Sequence, residues 1–224
     1  EHAVTLLMTL NRKIRLSQTL MQQNDFRLDQ LVGFDLHGKT VGVVGTGKIG
    51  EAFTRIMLGF GCKLIAYDIQ QNKELIQATG IEYVSLEELC KKADVISVSC
   101  PLNKSTKYLF AKDVFAQMKK GVVFINTARG GIVNTRDLLD ALDSGIIACA
   151  GIDVYENEKP IFFNDLTRGM VADELFERLR KHPNVLVTGH QAFLTNEALQ
   201  GIAGTTVCNL SSWERDGSSE NDLG

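Results

Sequence analysis

An α/β fold, built as a doubly wound parallel sheet, is predicted from three features of the sequence. Short apolar runs without polar alternation recur along the chain, as strands buried on both faces require. Segments with apolar residues at helical spacing alternate with them. A Gly-x-Gly-x-x-Gly turn joins the first such run to the helix after it. The 224 residues, 44% apolar and 23% charged, suffice for one large core and exclude a small stapled scaffold or a disordered chain.

The elements follow in order. Residues 2–23 read as one amphipathic helix (Val4, Leu7, Met8, Leu10, Ile14), basic at Arg12, Lys13 and Arg15, and Phe34 to Gly38 form the turn after it. Val41-Gly42-Val43-Val44 is a buried strand ended by Gly45, and Ile49, Phe53, Ile56, Met57 and Phe60 place a helix behind it, closed by Gly61. Leu64-Ile65-Ala66-Tyr67 is a second strand, followed by a weak helix over 73–79 and a short strand over 81–84. Ser85-Leu86-Glu87-Glu88 is a capping box that opens the next helix. Strands at 95–98, 122–125 and 146–152 then alternate with helices over 111–119 and 137–142. An irregular loop (156–172), a helix (174–181), a strand (185–187) and a last helix (196–213) complete the pattern, with residues 214–224 as a Gly-, Ser- and acid-rich tail expected to be disordered.

Charge narrows the partners. Lys and Arg number 24 against 27 Asp and Glu, a formal charge of -3, so no general footprint for nucleic acid or anionic lipid is present. No apolar run approaches the roughly 18 residues of a membrane span, which predicts no membrane partner. The five cysteines are odd in number, form no Cys-x-x-Cys pair and sit in or beside apolar runs, which fits a reduced, cytoplasmic protein. The opening residues carry neither an initiator Met nor a signal-peptide layout, and the expectation is a segment of something longer. The remaining histidines (His2, His37, His182) stand alone, so no metal site is expected, and no Gly-x-Ser-x-Gly elbow supports a serine nucleophile.

Gly45-Thr46-Gly47-Lys48-Ile49-Gly50 follows a buried strand and opens a helix. In that setting the glycines allow a tight turn, close backbone approach to a pyrophosphate and close helix packing, with the helix N-terminus facing the phosphates; a merely structural turn is the alternative. This makes the sheet a Rossmann-type dinucleotide-binding domain. Asp68 ends the second strand 18 residues after Gly50, where an acid accepts hydrogen bonds from the adenosine ribose, although an Asp there can equally be a turn former. Ile69, Gln70 and Gln71 follow without an Arg to meet a 2′-phosphate, so NAD is favoured over NADP.

Other polar residues share one address. Ser99, Cys100 and Pro101 follow one strand, Asn126, Thr127 and Arg129 the next, Asp153 another and His190 the last, all at carboxyl ends, the edge where open α/β sheets bind ligands. Taken singly, Arg129 could be a surface cation, Asp153 a cap, Glu158 a solvated charge and His190 a core imidazole. Together they suit hydride transfer to a 2-keto acid: Arg129 as a two-pronged carboxylate clamp, His190 as proton donor, and Glu158 as the carboxylate that favours the charged imidazole.

Five blocks carry a family resemblance: residues 41–50 (VGVVGTGKIG), 94–101 (DVISVSCP), 124–131 (FINTARGG), 151–158 (GIDVYENE) and 184–195 (NVLVTGHQAFLT). In this order and spacing they resemble the D-isomer-specific 2-hydroxyacid dehydrogenases. The loop 161–166 and the block His190-Gln191-Ala192-Phe193 lie closer to the fermentative D-lactate branch than to phosphoglycerate or formate dehydrogenases. The resemblance implies that Lys48 and Ile49 meet the pyrophosphate through their backbone and that Asp68 holds the ribose. It implies that Cys100, Pro101, Thr106, Thr127, Ala128 and Arg129 border the cofactor, and that Asp153 lies near the nicotinamide amide. Arg129 would also orient the keto acid, and His190 would pass the proton with Glu158 tuning it. It further implies an organisation of an interdomain and dimer helix (1–23), an NAD-binding domain (24–194) and a C-terminal helix (195–213) returning toward a substrate domain that precedes the first helix in the family, with a homodimer in the parent. The substrate would be a small 2-keto or 2-hydroxy acid, pyruvate and D-lactate foremost. The other reading is a non-enzymatic NAD-sensing module, because the C-terminal binding protein co-repressors share the fold and similar site residues.

Overall fold

The computed structural model describes residues 1–222 apart from 168 and 170. The chain divides into two compact units, Glu1–His190 and Gln191–Gly224.

The first unit is a seven-stranded sheet flanked by helices on both faces. Its strands are β1 (Thr40–Val44), β2 (Lys63–Tyr67), β3 (Glu82–Tyr83), β4 (Val95–Val98), β5 (Val122–Asn126), β6 (Ile147–Ile152) and β7 (Val185–Val187), all parallel, in the order β3-β2-β1-β4-β5-β6-β7. Val44 of β1 aligns with Tyr67 of β2 on one side and with Val98 of β4 on the other. The chain therefore winds outward in both directions from the β1–β4 pair, and the loops leaving these two strands diverge to open a crevice at their carboxyl ends. That crevice is a consequence of topology before any side chain is considered.

The helices of this unit are α1 (His2–Asn11), α2 (Ile14–Gln22), α3 (Lys48–Gly59), α4 (Lys73–Thr79), α5 (Leu86–Lys92), α6 (Lys112–Phe115), α7 (Thr135–Asp143) and α8 (Glu174–Lys181). Strand residues alternate between two cores. One holds Val44, Ile96, Val98 and Phe124, with Phe110 and Phe115 packed on Phe124 at ring-centroid distances of 5.0 and 5.7 Å. The other holds Val41, Val43, Val123 and Ile125 under Leu6 and Leu7 of α1 and Phe53 and Met57 of α3. Because β1 and β5 feed both cores, their sequences lack alternation.

Two helices of this unit depart most from the sequence expectation. The single helix over 2–23 is two helices, since Lys13 sits at a left-handed φ of 53°. Buried Asn11 fixes the break: its Nδ2 donates to the Phe34 carbonyl at 2.8 Å and its Oδ1 accepts from the Phe34 N–H at 2.9 Å. The helix over 111–119 is only the single turn of α6, after which Lys119 N–H donates to the Cys90 carbonyl and leaves the helical path.

The second unit contains α9 (Asn196–Asp216), capped by the Thr195 hydroxyl, which accepts from the Ala198 N–H. Gly217 ends it at a φ of 68°. The helix thus runs three residues past Trp213, and the expected disordered tail turns back so that Trp213 Nε1 donates to Asp222 at 2.7 Å. The last two tail residues lie outside the described part.

Candidate active site

The crevice at the β1–β4 divide is a cleft of about 780 Å³. Gly45, Thr46 and Gly47 form one wall, Asp68 to Glu74 the next, and Ser99 to Pro101 with Asn103, Ser105, Thr106 and Leu109 the third. The glycines differ in what they do. Gly45 has a φ of 94°, and a Cβ there would lie 2.5 Å from the Cys100 nitrogen; at Gly50 it would lie 1.9 Å from the Gly45 carbonyl oxygen. Both are required by the turn itself. Gly47 has an ordinary backbone (φ −66°) with no atom within 4 Å of a built Cβ, so neither strain nor packing requires a glycine there.

Asp68 reaches into this cleft and is held firmly. Its Oδ2 accepts from the Thr46 N–H at 2.6 Å and the Thr46 hydroxyl at 3.0 Å, and its Oδ1 from the Gln70 N–H at 3.2 Å. Cys100 lines the opposite wall, where burial pushes its thiol up to about 11, so at neutral pH it is an apolar wall rather than a nucleophile. Thr106 donates to the Pro101 carbonyl at 2.7 Å and fixes that loop. Lys48 and Ile49 are exposed in the first turn of α3, Ile49 by 68%, as backbone-only contacts allow. Half-buried Thr127 and Ala128 follow β5, and the Ala128 N–H donates to Asn126 Oδ1.

A second cluster lies at the ends of β5, β6 and β7. His190 Nδ1 and Glu158 Oε1 are 2.9 Å apart, and Glu158 Oε2 accepts from the Tyr155 N–H at 3.0 Å. His190 sits at a φ of 54°, a region few residues other than glycine enter, and its N–H donates to the Asp153 carbonyl at 2.7 Å. Phe163, at a φ of 65°, lies with its ring 5.9 Å from the imidazole. Arg129 is exposed, with Nη1 on the Ala128 carbonyl, and lines a cleft of about 550 Å³ together with Leu102, Tyr155 and Glu158. The Asp153 carboxylate is enclosed: its Oδ1 accepts from the Thr188 hydroxyl and lies 3.4 Å from His2 Nε2. His2, Thr188, Thr46 and Tyr83 had no role in the sequence reading. Thr46 was legible as a polar residue inside the glycine turn, whereas the others needed the fold to bring them together.

Comparison with known proteins fixes the family. Residues 4–192 match the profile of the "D-isomer specific 2-hydroxyacid dehydrogenase, NAD binding domain". The chain belongs to the D-isomer-specific 2-hydroxyacid dehydrogenases. Within that family it is 46% identical over 212 residues to 2-hydroxyacid dehydrogenase homolog 1 of Schizosaccharomyces pombe, covering 94% of this chain and 64% of the relative. It is 44% identical to the D-lactate dehydrogenase of Escherichia coli over 223 residues, covering 100% of this chain and 68% of that one. The solved structure of the pyruvate reductase of Chlamydomonas reinhardtii superposes with a TM-score of 0.93 at 43% identity, over 99% of this chain and 67% of that structure. The chain thus spans about two thirds of the length of these dehydrogenases.

The cleft fits the NAD that gives the family domain its name. It offers a glycine turn that excludes side chains, the exposed first turn of α3, and a carboxylate at the end of β2, in the order a dinucleotide needs from pyrophosphate to ribose. Among the described residues no group of three His, Cys, Asp or Glu side chains could hold a metal ion, and no helix is long and apolar enough to cross a membrane.

Proposed function

We propose that the whole protein transfers a hydride between NADH and a 2-keto acid, with pyruvate and D-lactate as the favoured pair. The observation that carries this reading is the His190–Glu158 contact of 2.9 Å at the end of β7. The imidazole of His190, oriented by the Glu158 carboxylate, is the group that would exchange a proton with the substrate oxygen. Arg129, on the cleft that Glu158 also lines, offers a planar, permanently charged fork for the substrate carboxylate. NAD(H), when bound, supplies or accepts the hydride. Around it the backbone of Lys48 and Ile49, the Asp68 carboxylate, and Cys100, Pro101, Thr106, Thr127 and Ala128 form the binding surface. Asp153 contributes by fixing the loop that carries His190.

The substrate assignment draws support from the relatives named D-lactate dehydrogenase and pyruvate reductase. A cytoplasmic setting is supported by five free cysteines, three of them buried beside the sheet. A homodimer is supported by the family resemblance and by exposed Met21, Phe26, Leu28 and Val32 on and after α2. The test is NADH consumption with pyruvate by the whole protein and its His190→Gln variant. Loss of a positioned acid typically slows turnover by about a hundred- to ten-thousand-fold, with NADH affinity retained. NADH binding without any turnover of 2-keto acids by the unmodified whole protein would favour the NAD-sensing module instead.

A further inference from the structure

At the end of β2, Asp68 is the last member of a hydrogen-bonded chain with one direction. The backbone N–H of Asn72 donates to the Tyr83 phenol oxygen at 3.0 Å, the Tyr83 hydroxyl donates to Thr46 Oγ1 at 2.7 Å, and the Thr46 hydroxyl donates to Asp68 Oδ2 at 3.0 Å. Each hydroxyl in the chain accepts once and donates once. The polarity of the series therefore points every hydrogen toward the carboxylate, and such series reinforce one another in a partly buried setting. The same Oδ2 also receives the Thr46 N–H at 2.6 Å.

The far end of the chain is anchored. Asn72 caps α4, its Oδ1 accepting from the Leu75 N–H at 3.0 Å, and its Nδ2 donates to Glu51 Oε2 on α3 at 3.1 Å. Glu51 is itself paired with Arg55. Tyr83 is half-buried at the end of β3, in register with Ala66 of β2, two residues before Asp68. Tyr83 does not line the cleft, whereas Thr46, Asp68 and Asn72 do. The chain thus ties the cap of α4 and the end of β3 to the Asp68 carboxylate in the cleft wall.

We propose that Tyr83 and Thr46 are positioning residues for cofactor selection: they pin Oδ2 of Asp68 and fix the plane of its carboxylate, so that Oδ1 is the oxygen presented to a ribose diol and repels a 2′-phosphate. This rests on the reading of Asp68 as the ribose acceptor. An unpinned aspartate at a strand end could rotate away and admit either dinucleotide. The preference for NADH over NADPH is then set by three residues on three strand ends rather than by one acid.

The experiment is a fluorescence titration of the chain with NADH and with NADPH, for the unmodified protein and for Tyr83→Phe, Thr46→Val, Thr46→Ser and Asp68→Ser. Tyr83→Phe and Thr46→Val are expected to lower NADH affinity by about three- to tenfold, the range for one lost hydrogen bond, with NADPH affinity unchanged or raised. Thr46→Ser, which keeps the hydroxyl, should retain the original ratio. Thermal melting of each variant separates this from unfolding, and the Thr46 pair decides the matter if Tyr83→Phe folds poorly. If Asp68→Ser reduces the NADH/NADPH ratio while Tyr83→Phe and Thr46→Val leave it unchanged, or weaken both dinucleotides in parallel, the positioning role is overturned. If Asp68→Ser itself leaves the ratio unchanged, the ribose reading of Asp68 fails and the positioning role with it.

Discussion

Gly47 and Gly50 belong to the same sequence motif but answer to different physics. Gly50 lies against the Gly45 carbonyl so closely that a methyl group must displace backbone. Gly50→Ala is therefore expected to cost about 1–3 kcal/mol of stability, as overpacking typically does, and to weaken NADH binding by deforming the turn. Gly47 has open space around it and an ordinary φ. Gly47→Ala should leave stability within about 0.5 kcal/mol, as for a substitution that disturbs no packed contact, yet still weaken NADH binding, because its Cβ would project toward the approaching pyrophosphate. Urea unfolding beside NADH titration of both variants checks the contrast. Equal losses of stability would assign both glycines to the fold alone. The sequence pattern marks the motif without distinguishing these roles, since the difference depends on which backbone lies opposite each Cα.

Thiol chemistry gives a second check at this scale. Burial raises Cys100 to about 11, so its neutral form persists well above neutral pH. Alkylation of Cys100 should stay slow at pH 7 to 8 and accelerate as pH rises toward that value, whereas exposed Cys208 is accessible throughout. Mass-spectrometric mapping of modified peptides against pH reads the order, and rapid modification of Cys100 at pH 7 would contradict the wall assigned to it.

Among the elements, the break between α1 and α2 is where periodicity misleads. Leu10 and Ile14 keep helical spacing across it, so a reading based on apolar recurrence continues through residues 12 and 13. What stops the helix is tertiary: Asn11 finds both backbone groups of Phe34, which arrive from a segment more than twenty residues away. Asn11→Ala removes both bonds and leaves partly buried polar groups on Phe34 without that partner. A loss of about 1–3 kcal/mol is expected, measured by urea unfolding, and a loss below about 0.5 kcal/mol would show that the break is set locally at Lys13. Elements whose ends are written in short-range chemistry were legible. Ser85 accepts from the Glu88 N–H at 3.1 Å, the N-cap half of the capping box, while the Glu88 carboxylate pairs with Lys92, and α8 and β7 have the expected bounds. Helix α7 begins two residues earlier than its apolar spacing indicates because the Asn134 side chain caps it through the Asp137 N–H.

For the molecule as a whole, topology makes the site. The strand order that diverges between β1 and β4 opens the dinucleotide cleft, and the same carboxyl edge continues to Arg129, Glu158 and His190. This is why residues far apart in sequence could be assigned to one place before the structure: their common position after parallel strands is a sequence property. The supporting partners were not legible, because Tyr83, Thr188 and His2 meet the site through packing across strands and helices that no local pattern specifies. If the first unit holds a complete cleft for NAD(H), a fluorescence titration of the 224-residue chain with NADH beside NADPH shows it most directly. Saturable, one-to-one binding of NADH, clearly tighter than that of NADPH, is expected. No saturable NADH binding by a chain whose circular dichroism and melting are those of a folded α/β domain would contradict it.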